Sequence, residues 1–215
     1  MGKAFAAWFL VAVAAAGVAS PREVVQAAVT RVLAIASEQA DGERARPEAI
    51  DKRRAEMRRV AAEIFDFEEM ARRSLSIHWA SRSKAEQAEF VEHFADFLER
   101  TYIARIESYA GEKIRYPNEI VDGNYATVRS RIMSRRTGTE TTLDYRLHLE
   151  DGKWKVFDIT LDGVSFVSTY RSEFNRIIQA SSYASLVDRM KKRRLEVNAI
   201  GPRAEHRTEP GTIRR

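Results

Sequence analysis

The apolar residues of this chain change their period once, at Gly111, and that change constrains the fold more than any other feature. Before it they recur every three or four residues, as in Val24, Val25, Ala28, Val29 and Val32, in Met57, Val60, Ala61 and Ile64, and in Phe90, Phe94, Phe97, Leu98, Tyr102, Ile106 and Tyr109. That spacing predicts amphipathic helices. After it they alternate: Ala126, Val128, Ser130 and Ile132 interleave with Tyr125, Thr127, Arg129 and Arg131, while Leu143, Tyr145, Leu147 and Leu149 interleave with Asp144, Arg146 and His148. That spacing predicts half-buried strands.

Start and stop signals divide the helical half. Pro21 suits a first turn, and a helix is expected from there to Ala40; Asp41-Gly42 breaks it, and Pro47 opens a second, arginine-rich helix to about Phe65. Phe65-Asp66-Phe67 opens a short helix through Leu75, and Ser83 with Glu86 three residues on reads as a capping box before the long helix. In the second half Asp122-Gly123, Thr137-Gly138 and Asp151-Gly152 mark turns of an antiparallel meander whose last strand is Lys153 to Leu161. Along that strand Trp154, Val156, Phe157, Ile159 and Leu161 are almost continuously apolar, so both of its faces should be covered. Two helices, Val164–Ala180 and Ser182–Val197, close the chain.

Helices followed by an antiparallel meander imply an α+β fold, with helices packed on a curved, cone-like sheet of the nuclear-transport-factor-like kind. An internal hydrophobic pocket has a natural place between the concave sheet face and the helices.

At 215 residues the chain is one domain with tails. Residues 1–20 read as a cleaved signal peptide: Lys3 precedes the apolar run Ala4–Val18, and small residues precede Pro21. The domain is expected over 21–198, followed by a disordered basic tail over 199–215. The absence of cysteine excludes disulfides and thiol catalysis. The formal charge of +5 comes mainly from the eight basic and three acidic residues between Lys191 and Arg215, so the chain is not a globally basic nucleic-acid binder. Lys52-Arg53-Arg54 and Arg58-Arg59 could meet anionic lipid headgroups or nucleic acid, but read first as a solvated helix face neutralised by Glu48, Asp51, Glu56 and Glu63. The run at Lys191–Arg194 has no such partners and could serve a helix C-terminus or dock an acidic partner or membrane.

Catalytic patterns are sparse. His78, His93, His148 and His206 show no metal-ligand spacing, and His148 shares the solvent-facing phase of Asp144 and Arg146. There is no nucleophile elbow, phosphate loop or dinucleotide fingerprint, and no cofactor is expected. Asp144 and Asp158 on neighbouring strands are the one candidate acid pair, and strand acids are usually solvated or paired.

Several stretches resemble the MlaC, or toluene-tolerance, family of periplasmic phospholipid carriers. These are Phe65-Asp66 followed by Ala71, Leu75 and Trp79; Phe90, Phe94, Leu98 and Tyr102 on the long helix; Tyr145 and Leu147; Trp154 and Asp158; Gly163-Val164-Ser165; Tyr170-Arg171 with Phe174; and Leu186–Lys191. The resemblance runs from about Phe65 to Arg189. Departures are Ser76 and Ser182-Tyr183 in place of glycines, and Phe166 in place of a smaller aliphatic residue, which should narrow or reshape a pocket.

What the resemblance implies is a periplasmic, non-enzymatic carrier that moves phospholipid or another membrane lipid between an outer-membrane lipoprotein complex and an inner-membrane ABC transporter complex. A hopanoid-associated member of the same family is the nearest alternative. An enzyme using Asp144 or Asp158 as general base, and a protein-binding adaptor using the tail, are the others. For a carrier, strand and helix phase put the pocket lining at Phe94, Phe97 and Leu98 of the long helix, at Val128, Ile132, Leu143, Tyr145, Leu147, Trp154 and Val156 of the sheet, and at Val164, Val167 and Phe174 of the closing helix.

Overall fold

The computed structural model describes residues 19–37, 47–108, 111–135, 137–192 and 195; the signal peptide, apart from Ala19 and Ser20, and the basic tail expected from sequence lie outside them. Helix α1 (Pro21–Ser37) starts where Ser20 and Glu23 exchange side-chain-to-backbone hydrogen bonds at 2.8 and 3.2 Å, with Pro21 as the first helical residue. It is followed by α2 (Pro47–Ile64) and α3 (Phe67–Leu75). The short helix begins two residues later than its sequence suggests. Phe65 forms a bridge to Val156, the Asp66 N–H donates to the Val156 carbonyl at 2.9 Å, and Asp66 itself caps α3 by accepting from the Glu69 N–H at 2.8 Å. A 3-10 turn, Ser76–His78, leads to α4 (Lys84–Glu107), which opens on the expected Ser83–Glu86 capping box.

Five antiparallel strands follow in sequential order: β1 (Lys113–Asp122), β2 (Tyr125–Met133), β3 (Glu140–Glu150), β4 (Lys153–Leu161) and β5 (Val164–Ser165). The sheet is curved and does not close. The hairpins at Asp151-Gly152 and Asp162-Gly163 are two-residue loops with positive φ at both positions (47° and 73°, 47° and 85°), the geometry that Asp-Gly favours and that matches strand twist. The second of these hairpins corrects the sequence reading, because β4 is not the last strand: Val164-Ser165 turns back onto its edge before α5 (Phe166–Ala180) begins. The final helix, α6 (Tyr183–Lys191), is shorter than the expected Ser182–Val197; Ser182 is its cap, and residues 193–194 and 196–197 lie outside the described set.

A bulge at Phe157 explains the nearly continuous apolar run of β4. Arg146 pairs with Asp158 but Leu147 pairs with Val156, so one extra residue enters β4 and the phase of the strand slips by one. Trp154 and Val156 face inward before the bulge, and Ile159 after it, opposite Tyr145. Phe157 turns to the outer face, where it is only 3% exposed beneath the guanidinium of Arg73 at 4.2 Å, with the His148 ring edge-on at 5.8 Å.

Two apolar clusters result. One joins α1 and the end of α2 (Val25, Ile64) to the inner sheet face (Ala126, Val128, Tyr145, Leu147, Trp154, Val156). The other is helical and rests on the rings of Phe90, Phe94, Phe97, Tyr170 and Phe174, whose centroids lie 5.5 to 6.0 Å apart. Phe65 and Ile159 pack against both clusters.

Candidate functional site

The seam between the two clusters does not close. A cavity of about 620 Å³ lies there, between α2 and α4, with α3, β4 and the start of α5 as its floor. Met57, Ala61 and Ala62 of α2 form one wall, and Ala95, Leu98, Tyr102, Ile103 and Ile106 of α4 the other; Phe65, Phe67, Met70, Ile159 and Phe166 complete it. Small residues on facing helix surfaces are the physical reason for the gap. Ala61, Ala62 and Ala95 cannot reach across it, whereas the large rings of Phe90 and Phe94 on α4 pack against Tyr170 and Phe174 of α5 instead of α2.

The mouth opens where charged, solvent-exposed side chains join the lining: Arg58 from α2 and Glu92 and Asp96 from α4, with the half-buried Glu99 beside them. Arg58 Nη1 donates to Glu99 Oε1 at 2.7 Å, and one helical turn earlier on α2 Arg54 binds Glu107 through two bonds of 2.9 and 3.1 Å. The hydrogen bond from Arg54 holds the Glu107 carboxyl below its ordinary range against the opposing effect of burial. Arg54 and Arg58, read from sequence as neutralised within the helix, take their hydrogen-bonded acids from α4, while Glu63 pairs with Arg31 of α1; Arg53, read as part of a solvated face, is buried.

Phe166 lies in the cavity wall, stacked on Tyr102 with centroids 4.8 Å apart. The Tyr102 hydroxyl meets that of Tyr170 at 2.8 Å, and burial pushes the Tyr170 phenol well above its usual range. A smaller cavity of about 380 Å³ lies between α1, α2 and the β3–β4 hairpin, lined by Ala28, Val60, Ile64 and Trp154 among others, with Arg31 and Glu63 at its edge.

Of the lining residues expected from sequence, Leu98 borders the larger cavity and Trp154 the smaller. Phe94, Phe97, Val167 and Phe174 are buried in the helical cluster, while Val128, Tyr145, Leu147 and Val156 are buried in the sheet cluster with Leu143 packed against them. Ile132 is half-buried near the end of β2, and Val164, expected on the closing helix, is half exposed in β5. The inner sheet face is plugged by α1 and α2, which moves the open volume sideways to the α2–α4 seam. Sequence spacing had marked Met57, Ala61, Tyr102 and Ile106 as buried faces without marking the gap between them; Ile103 and the alanine pairing carried no periodic signal.

The candidate acid pair has a structural role. Asp158 is 2% exposed, accepts hydrogen bonds from Ser165 Oγ (2.7 Å) and the Val167 N–H (3.1 Å) at the start of α5, and lies 3.5 Å from Arg146. Asp144 is held by Arg129 at 3.1 Å. His148 lies on the outer face, as its phase required, but is half-buried and bonded to Asp66 at 2.9 Å. Asp66, His148 and Glu150 bring ligand atoms within 4.8 Å of one another, a grouping of cation-ligand type in which Asp66 is already engaged as the α3 cap. No helix among the described residues is long and apolar enough to cross a membrane.

Comparison with known proteins agrees with this architecture. The chain is 24% identical over 123 residues to the intermembrane phospholipid transport system binding protein MlaC of Haemophilus influenzae, an alignment covering 55% of this chain and 57% of that protein. The chain thus spans a little over half the length of that curated relative. Its fold is similar to the solved structure of a phospholipid-binding protein from Ralstonia solanacearum in complex with a phospholipid, with a TM-score of 0.71 at 22% identity over 82% of this chain and 97% of that one. The sequence model of the MlaC protein family matches residues 26–192, most of the chain, and on that match the protein belongs to the MlaC family.

Proposed function

We propose that this protein is a periplasmic lipid carrier whose α2–α4 cavity holds the acyl part of a phospholipid in transit between the outer and inner membranes. The observation that carries the reading is an apolar cavity of about 620 Å³ with a charged mouth, in a chain of the MlaC family. The similarity to proteins named for phospholipid binding and intermembrane phospholipid transport supports the choice of cargo. Its partners would be an outer-membrane lipoprotein complex that supplies or accepts lipid, and an ABC transporter complex of the inner membrane.

The energetics suit carriage. If a methylene occupies about the volume of a liquid-water molecule, about 30 Å³, the cavity takes roughly twenty methylenes. At about 0.8 kcal/mol for each, burial is worth roughly 16 kcal/mol before the cost of association, close to the ceiling of non-covalent affinity. Release therefore requires the cavity to open. The α2–α4 seam is suited to opening, because each ion pair that spans it keeps its arginine open to solvent, and solvent-screened pairs are worth only about 0.2–1 kcal/mol.

Mass spectrometry of the organic extract of the purified protein tests the reading and separates phospholipid from hopanoid. Stoichiometric lipid is the expected result. A protein that carries none and takes none from vesicles refutes it.

A further inference from the structure

The mouth carries more negative than positive charge, and this has a consequence for the headgroup. Glu92, Asp96 and Glu99 all line the opening from one face of α4, against the single guanidinium of Arg58. Their partners are unevenly distributed. Glu99 is held by Arg58 and Asp96 by Arg100, four residues on, whereas Glu92 has no hydrogen-bond or ion-pair partner among the described residues. Arg58, itself part of the lining, uses one of its five N–H donors on Glu99, and the others have no partner among the described residues. Glu92 and Asp96 are four residues apart, so they are neighbours on the helix surface, and Glu99 lies one turn beyond Asp96. The opening is therefore graded along α4, from a cation with spare donors at the Arg58–Glu99 level to an unpaired carboxylate at Glu92.

We propose that this mouth selects zwitterionic headgroups, those joining a phosphate to an ammonium group, over anionic ones: Arg58 takes the phosphate while Glu92, with Asp96, takes the ammonium. An anionic headgroup of the phosphatidylglycerol kind offers Arg58 the same phosphate but no ammonium, and leaves Glu92 unpaired. This inference rests on the carrier reading and names the lipid class within it.

Delipidated protein is incubated with vesicles containing phosphatidylethanolamine and phosphatidylglycerol in equal amounts with identical acyl chains. It is then separated, and the bound lipids are quantified. Because both lipids share one membrane surface, attraction of the basic chain to the vesicle affects them alike. The expected result is enrichment of phosphatidylethanolamine by about two- to fivefold over input, the range that one exposed ion pair supports. In Glu92→Gln the ratio should fall toward one, and in Glu92→Lys it should invert. Uptake of both lipids at the input ratio by the wild-type protein, or enrichment unchanged in Glu92→Lys, overturns the headgroup proposal while leaving the carrier reading intact. Uptake of neither lipid overturns both.

Discussion

Introducing a carboxylate at Val128 and, separately, at Ile103 distinguishes a lipid site on the inner sheet face from one at the α2–α4 seam. Val128 is fully buried, pairs with Tyr145 across the sheet and borders neither described cavity. In Val128→Asp the protein loses about 1.5–3 kcal/mol of apolar burial. It must also bury an ion at a cost of several kcal/mol or keep the group protonated. Together these approach the whole stability of an ordinary domain, about 5–15 kcal/mol. Ile103 is half-buried in the cavity wall, and a carboxylate there remains in contact with water while the cavity is empty. The cost falls on the lipid-filled state, because an acyl chain would desolvate the charge. A loss of about 3 kcal/mol in that state corresponds to roughly a hundredfold weaker retention. Circular-dichroism melts and lipid quantification of both variants are the assay. Val128→Asp should melt far below the wild type or fail to fold, while Ile103→Asp should fold normally and lose its lipid. If Val128→Asp folds with a normal melt and loses lipid, while Ile103→Asp keeps it, the cargo lies against the sheet and the seam assignment is refuted.

Three further outcomes are expected. Ser76 caps α3 with φ 51° and ψ −119°, a conformation that glycine adopts far more readily than serine, so Ser76→Gly should raise stability by about 1 kcal/mol and the melting temperature by about 2–4 °C; an unchanged melt would show that the backbone there relaxes freely. Glu107→Gln together with Glu99→Gln breaks both ion pairs across the α2–α4 seam and should speed lipid transfer to acceptor vesicles about two- to tenfold, as should raised salt in the wild type, and transfer at the wild-type rate would place the gate elsewhere. The carboxyl pKa values of Glu107 and Glu69 are lowered in the folded protein, for Glu69 because bonds from Arg72 and Arg73 outweigh the opposing burial; their contribution is therefore present above the ordinary carboxylate pKa of about 4.3 and lost as pH falls below it. Melting temperature should be flat near neutrality and drop below about pH 4, with a smaller drop in Glu107→Gln, and equal acid sensitivity in that variant would discount the Arg54–Glu107 pair.

The order of elements, most of their ends and the α+β class follow from features that act over a few residues. The Ser83–Glu86 box opens α4, Asp-Gly pairs close hairpins in the one turn geometry that suits both residues, and the change of apolar period at Gly111 separates helices from meander. Family membership is equally visible, because the motifs from Phe65-Asp66 to Tyr170-Arg171 occupy caps and core positions that any such fold needs. The Asp66 carboxylate that caps α3 and the buried Asp158 carboxylate of β4 that accepts from the first turn of α5 are examples. A phase changed by one residue is not legible in this way: Phe157 enters β4 as a bulge and turns Asp158 outward and Ile159 inward, while the sequence shows only an almost continuous apolar run covered on both faces.

The position of the cavity belongs to tertiary structure alone. An aromatic stripe on α4 and an alternating sheet face look the same in sequence whether they are filled or left open, because periodicity reports which side of an element is covered and not what covers it. Here α1 and α2 fill the sheet face with Val25 and Ile64, the phenyl rings of α4 and α5 fill one another, and three alanines on facing helices leave the remaining volume at the seam. The charges along the seam are likewise assembled from residues about forty to fifty apart in the chain, Arg58 with Glu99 at the mouth and Arg54 with Glu107 beyond it, so both the gate and the selectivity proposed for it arise only when α2 is laid beside α4.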